Sequence, residues 1–268
     1  MHIDQLDTPV VIIDLDKMES NIQRFQKYLD QHGVANMPHI KTHKVPEIAH
    51  MQIAAGAAGI SCQKLGEAEI MVQSGIQNIF IPYNLMGQAK MERLAQLSKR
   101  ANISVAADSA YTVSELAQAG QKAQQEISVL IEFDSGKGRC GVRTPQEAAD
   151  LAQTIAHTSG LHFGGLMTYP NSAQTDEFVL AVKELLSGPG LEIERISGGG
   201  TPVMWQVHHH NQLTEHRAGT YVYGDRTTIR DKSILQEECA LTVKTTVVSR
   251  PTDERCFLDG GSKTFSSD

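Results

Sequence analysis

The chain has 268 residues, of which 40% are hydrophobic and 21% charged, and its formal net charge is −7. These are ordinary values for a folded domain, and the acidic balance argues against a nucleic-acid or anionic-membrane partner, because both need clustered Lys and Arg. A local basic pocket for a phosphate stays open.

The opening stretch, MHIDQLDTPVVIID, has no basic region followed by an apolar core, so no secretory signal is expected. No apolar run approaches the roughly 20 residues of a membrane span. Cys62, Cys140, Cys239 and Cys256 are far apart with no CxxC spacing. They imply no disulfide framework, and a reducing cytoplasm is the expected compartment.

Thr8–Asp14 (TPVVIID) reads as a strand outside the main repeat. From there, short apolar runs alternate with longer amphipathic stretches rich in Ala, Glu, Gln and Lys. The strand candidates are Asn36–Ile40, Ala57–Ser61, Asn78–Pro82, Ile103–Ala107, Ile127–Phe133, His162–Met167, Glu192–Ile196 and Thr220–Tyr223. Continuous apolar runs such as VLIEF and NIFIP suit strands covered on both faces.

The helix candidates fall between them. Leu65–Gln73 follows a glycine-containing turn. Ala110–Ala119 has Asp108 or Ser109 as its cap and Gly120 as its stop. Pro145–His157 begins with Thr144-Pro145-Gln146-Glu147, a capping box with proline at the first helical position. Glu177–Leu186 ends before Ser187-Gly188-Pro189-Gly190.

About eight strand–helix units predict a closed parallel barrel, the (β/α)8 fold, which typically takes about 250 residues. An open sheet remains the alternative if a strand assignment fails. Cys239–Arg250 and Glu254–Ser262 read as further strands around the turn Pro251-Thr252-Asp253. With no helix between them they should pair antiparallel. Residues 1–14 are expected to join this β domain, 15–230 to form the barrel, and 231–268 to begin a β domain that is incomplete, because two or three strands do not close a core.

In such barrels the active site lies at the C-terminal ends of the strands. Lys41, in PHIKTHK directly after the first strand, is there either a nucleophilic amine or a solvated loop lysine. Ser197-Gly198-Gly199-Gly200-Thr201-Pro202 follows the seventh strand, the usual phosphate position. Its glycines and hydroxyls suit an anion, although a plain turn would look the same. Arg217-Ala218-Gly219-Thr220-Tyr221, leading into the eighth strand, would complete the cradle. Arg139, in DSGKGRCG, and Tyr169, in TYP, follow the fifth and sixth strands. Either alone is an ordinary loop residue; together with the lysine and the glycine turn they fit a cofactor bearing an aldehyde, a phenolate and a phosphate.

No GxGxxG follows a strand, and GGSKT lacks the spacing of a P-loop, so ATP and dinucleotides are not the expected ligands. Adjacent histidines such as His208-His209-His210 do not all face one ion, and this run reads as a polar helix or loop. His39 and His43 flank Lys41 and either tune it or are satisfied polar residues.

These segments resemble the fold type III pyridoxal 5′-phosphate enzymes of the D-threonine aldolase and D-serine dehydratase group, with alanine racemase as a more distant relative. The resemblance runs along nearly the whole chain, through TPVVIIDLD, PHIKTHK, GISCQKLGEAE, IFIPYNLMG, IEFDSGKGRCGV, GLMTYP, SGGGTP, TEHRAGTYVYGDR, CALTVKTTVVSRP and LDGGSKTFSSD. PHIKTHK with SGGGTP is its most specific part.

The resemblance implies that Lys41, rather than Lys44, carries the cofactor as a Schiff base. Ser197, Gly199, Thr201, Gly219 and Thr220 would surround the phosphate, Arg139 would lie on the phenolic side and Tyr169 near the ring nitrogen. Gly198 and Tyr221 belong to the same two loops. The implied reaction is lyase cleavage of a small β-hydroxy-D-amino acid such as D-threonine to glycine and an aldehyde. Dehydration of D-serine or 3-hydroxy-D-aspartate and racemisation are alternatives on the same fold, and a non-catalytic pyridoxal phosphate carrier is the alternative from another class. A barrel with no cofactor, its Lys41 solvated, is a third.

Relatives of this kind are usually homodimers. They continue past LDGGSKTFSSD to a His-x-Cys or His-x-Asp pair that holds Mn2+, Mg2+ or Zn2+ against the substrate hydroxyl. No equivalent pair follows the barrel before Asp268, so either the chain is a fragment with its metal ligands beyond Asp268, which is the expectation, or the metal-dependent step is lost.

Overall fold

The computed structural model describes residues 2–265. β1 (Val10–Ile13) leads into α1 (Leu15–Gln31). A regular alternation follows: β2 (Ala35–Asn36), α2 (Pro46–Ala54), β3 (Ile60–Ser61), α3 (Leu65–Gln73), β4 (Asn78–Ile81), α4 (Gln88–Ser98), β5 (Asn102–Ala107), α5 (Ala110–Ala123), β6 (Ile127–Glu132), α6 (Pro145–Ala156), β7 (Leu161–Met167), α7 (Thr175–Ser187), β8 (Arg195–Gly199) and β9 (Glu215–Arg217). α8 (Arg226–Arg230), β10 (Leu241–Lys244), β11 (Val247–Thr252) and β12 (Arg255–Leu258) come last. None of the described helices is long and apolar enough to cross a membrane.

The chain divides into two compact units, Arg24–Gly219 and Met1–Gln23 with Thr220–Asp268. The first contains the expected barrel. Its eight strands pair in parallel in the order β2-β9-β8-β7-β6-β5-β4-β3. The seam between the ends of that order is closed beyond β2 and β3 by a bridge between His39 and Ser61, and Ser61 N–H donates to the Pro38 carbonyl at 2.8 Å.

Alternation along the strands fills both sides. Phe80, Ala106, Leu130, Met167 and Met37 form a buried cluster. Their neighbours Ile79, Ile81, Val105, Ala107, Val129 and Ile131 belong to a second cluster that includes Leu94, Leu116 and Ile155 of the helices. The capping box of α6 forms as its sequence dictates: Thr144 Oγ1 accepts from Glu147 N–H at 3.2 Å, and Glu147 Oε2 accepts from Thr144 N–H at 3.3 Å.

Within the barrel three expectations are corrected. The eighth strand is Glu215–Arg217; Thr220–Tyr223 is no strand, and Thr220–Val222 is a 3-10 turn. Glu215, His216 and Arg217 are all buried; Glu215 pairs with Arg195 and its charge opposes the desolvation of Arg217, while desolvation lowers His216 to about 3. The seventh strand begins at Arg195 rather than Glu192 and runs through Ser197 into the glycines. Gly120 does not end α5, which continues to Ala123. A Cβ built on Gly120 would lie 1.9 Å from the carbonyl oxygen of Gly160, so glycine is required there by a backbone contact.

The second unit contains two antiparallel pairs. β1 pairs with β10, Val10 opposite Lys244 and Ile13 opposite Leu241. β11 and β12 pair with each other. The expected strand over Cys239–Arg250 is therefore two strands with different partners. The turn falls at Asp253-Glu254, while Pro251 and Thr252 stay within β11. At the break, Thr246 N–H donates to Asp259 Oδ1 at 2.9 Å, and Thr8 Oγ1 binds the same carboxylate. The last three residues of the LDGGSKTFSSD motif, Ser266–Asp268, lie outside the described residues.

Gly120→Ala tests the close approach. In an ordinary helix interior the change stabilises by up to about 1 kcal/mol. Here the steric conflict should reverse the sign and destabilise by about 1–3 kcal/mol in chemical unfolding.

Candidate active site

Lys41 lies in the 3-10 turn Ile40–Thr42 that follows β2. His39 caps this turn, its Nδ1 accepting from the N–H of Lys41 at 3.3 Å. The Lys41 ammonium nitrogen is 5.6 Å from the centre of the Tyr169 ring. The Arg139 guanidinium lies 4.8 Å from the centre of the same ring. Burial, the charge of Arg139 and then that of Arg217 lower the pKa of Lys41, against a weaker pull from Glu67. Each of these cations makes the protonated form less favourable, the direction a nucleophilic amine needs. Lys44 differs: its side chain is ion-paired with Glu67.

The glycine turn also approaches this tyrosine. A Cβ on Gly199 would be 3.4 Å from the Tyr169 ring, and one on Gly200 would be 3.5 Å from it. Larger side chains there would fill the space beside the ring. Gly200 has φ +114°, a conformation suited to glycine. Its N–H donates to the Arg217 carbonyl at 3.0 Å, and Gly199 N–H donates to Asn171 Oδ1 at 3.2 Å. Gly219 joins the assembly from the chain after β9. Its N–H donates to Thr201 Oγ1 at 3.3 Å, and a Cβ on it would be 2.7 Å from the His39 carbonyl. The segments after β2, β7, β8 and β9 thus converge.

Of the sequence-derived residues, Lys41, Arg139 and Tyr169 meet around one ring. Gly198, Gly199, Thr201 and Gly219 line the adjoining turn. Ser197 is fully buried and its hydroxyl accepts from Arg217 Nη1. Thr220 and Tyr221 open the other compact unit, directly after Gly219, and Tyr221 is fully buried. His39 is buried and held well below the usual histidine range, first by desolvation and then by the Lys41 and Arg217 charges. Desolvation lowers His43 to about 4. The triple histidine does not converge: His208 Nδ1 bonds the Tyr28 hydroxyl at 2.8 Å, and His210 faces Asp176 at 3.4 Å. Among the described residues no group of three or more His, Cys, Asp or Glu side chains is arranged to hold a metal.

Sequence reading placed Arg217 in the segment completing the phosphate cradle but missed the buried charges around it. Arg217 is 3% exposed, and its Nη2 donates to the Thr168 carbonyl at 2.7 Å. Desolvation lowers its pKa to about 10, opposed chiefly by Glu215. Arg195 makes a bidentate pair with Glu215 at 2.9 and 3.1 Å. The guanidinium carbons of Arg195 and Arg217 lie 5.3 and 5.6 Å from the centre of the Phe80 ring. Glu132, the last residue of β6, faces Arg139 at 3.4 Å. The one signal available was the presence of charged residues at strand ends.

An amine of lowered pKa, a guanidinium, a phenol and a glycine turn make a set of groups that fits pyridoxal phosphate. The comparisons with known proteins agree. The profile described as "Alanine racemase, N-terminal domain" matches residues 13–227. The chain is 37% identical to a D-threonine aldolase of an Arthrobacter species, over 98% of this chain and 74% of that protein. The crystal structure of D-threonine aldolase from Filomicrobium marinum superposes with a TM-score of 0.90 at 32% identity, covering 97% of this chain and 75% of that one. D-threo-3-hydroxyaspartate dehydratase from Delftia sp. HT23 gives 0.86 at 30%, covering 98% and 74%.

The direction of the Lys41 shift is measurable. Acetic anhydride should modify Lys41 of the folded chain at lower pH than the same lysine in the chain unfolded by urea, whose reference pKa is about 10.4. Equal pH profiles, read on the Lys41 peptide by mass spectrometry, would contradict the geometry.

Proposed function

The chain belongs to the alanine racemase N-terminal domain family, and from that premise we propose that it is a pyridoxal phosphate-dependent lyase that cleaves a small β-hydroxy-D-amino acid, such as D-threonine, to glycine and an aldehyde. The observation that carries this reading is the Lys41 amine, its pKa lowered by partial desolvation and the charges of Arg139 and Arg217, 5.6 Å from the centre of the Tyr169 ring, in a barrel that superposes on D-threonine aldolase with a TM-score of 0.90.

When bound, the cofactor supplies an electron sink for the charge left at Cα as one of its bonds breaks. Lys41 would hold it through its amine, for which the low-pKa environment is suited. Arg139 would face the phenolic oxygen and Tyr169 the ring nitrogen. Ser197, Gly198, Gly199, Thr201, Gly219, Thr220 and Tyr221 would hold the phosphate. The Lys41 amine would also be the group to accept or return a proton at the substrate. The reading includes a divalent metal, Mn2+, Mg2+ or Zn2+, for the substrate hydroxyl; nothing among the described residues is built to hold it. It also includes a cytoplasmic homodimer, a cofactor barrel over about residues 15–230, and a β domain formed from 1–14 with 231–268.

Dehydration is the second reading, supported by the likeness to the hydroxyaspartate dehydratase. One assay separates the outcomes. With pyridoxal phosphate, Mn2+ and D-threonine, glycine plus acetaldehyde is expected. 2-Oxobutanoate plus ammonia would establish the dehydratase instead, and L-allo-threonine, the product of inversion at Cα alone, a racemase. Retained visible cofactor absorbance without product would indicate a carrier. Lys41→Ala should abolish that absorbance. If it survives there and is lost in Lys44→Ala, the lysine assignment fails.

A further inference from the structure

Glu132 ends β6 with a side chain only 2% exposed. Its Oε1 accepts from Arg139 Nη2 at 3.4 Å. Its Oε2 is buried with no hydrogen-bond partner among the described residues. A carboxylate so placed is unfavourable unless an opposite charge answers it. The Arg139 side chain, by contrast, is 43% exposed.

The backbone that carries Arg139 is fixed independently of this pair. Val142 N–H donates to the Glu132 carbonyl at 2.9 Å, and Asp134 N–H donates to the Val142 carbonyl at 3.0 Å, pinning the neck of the loop. Asp134 Oδ1 then accepts from the N–H groups of Gly136, Lys137 and Gly138 at 3.0, 2.9 and 3.1 Å. The loop needs no help from Glu132, but a long, half-exposed arginine does.

We infer that Glu132 is a positioning residue: it holds the Arg139 guanidinium over the Tyr169 ring, beside the Lys41 amine. This rests on the reading of Lys41 and Arg139 as cofactor-facing groups. Glu132 touches neither substrate nor cofactor in this role; it acts through Arg139. The charged groups facing Lys41 are Arg139, Arg217 and Glu67, and His39 also feels its charge. Those facing Glu132 are Arg139, Arg217 and Asp108.

The test exploits opposite signs. Removing a carboxylate and leaving every cation in place would lower the Lys41 pKa or leave it unchanged. Releasing Arg139 removes a neighbouring cation and raises it. Acetic anhydride labelling of Lys41 against pH, on the full chain stripped of cofactor, reads this directly. Arg139→Gln should raise the midpoint by about half a unit or more. Glu132→Gln, which keeps the shape of the side chain, should raise it similarly. Glu132→Asp should recover part of the way, and Glu132→Gln with Arg139→Gln should add nothing beyond Arg139→Gln alone.

Unfolding curves establish that each variant is folded. A midpoint that falls or stays fixed in Glu132→Gln overturns the inference, and if that variant does not fold, a midpoint unchanged in Glu132→Asp together with additive Asp and Arg139→Gln effects does so. Uptake of pyridoxal phosphate by the unsubstituted chain is measured alongside. Its failure would sink the functional reading, while the labelling midpoints still decide what Glu132 does.

Discussion

A guanidinium inside the barrel holds the site together. Arg217 comes from the last strand, yet its side chain bonds Ser197 on β8 and the Thr168 carbonyl after β7, and its own carbonyl receives the N–H of Gly200. Three strand ends are therefore fixed by one residue. A buried arginine is tolerable only with its donors satisfied and its charge balanced. Glu215 opposes its desolvation, and Phe80 offers an aromatic face to both Arg217 and Arg195. The packing of the barrel and the placement of Tyr169 and the glycine turn are thus one problem with one solution.

How much of this was legible in the sequence depends on how local each cause is. The T-P-Q-E cap of α6 and the apolar strands Asn78–Ile81 and Ile127–Glu132 follow from neighbouring residues, and they read correctly. The eighth strand did not, because Glu215-His216-Arg217 is acceptable in a buried strand only through partners such as Arg195, 20 positions away. Gly120 looked like a helix stop because helix ends and close backbone contacts demand the same residue. The contact that decides between them comes from Gly160, remote in sequence.

The site divides in the same way. Lys41 and the glycine turn stand out because their chemistry is written into short runs. Glu132 is hidden, and Arg217 was visible only as part of a cradle segment, because a buried charge is explained by what it faces and a single sequence does not say what that is. Tyr169 is intermediate: its position after a strand was visible, but its closeness to an amine, a guanidinium and the glycine turn emerges only when the strands are arranged in space.

The cations gathered around Tyr169 belong to a chain whose formal net charge is −7. An anion approaching from afar meets repulsion from the whole molecule, and it meets attraction only near the mouth. At physiological ionic strength the Debye length is about 8 Å, so the far field fades while the contact field of Arg139 and Lys41 persists. Moderate salt should therefore not slow capture of a phosphorylated ligand as it slows association with a uniformly basic protein. The protein's acidity keeps it dispersed in solution without shielding its mouth from anions.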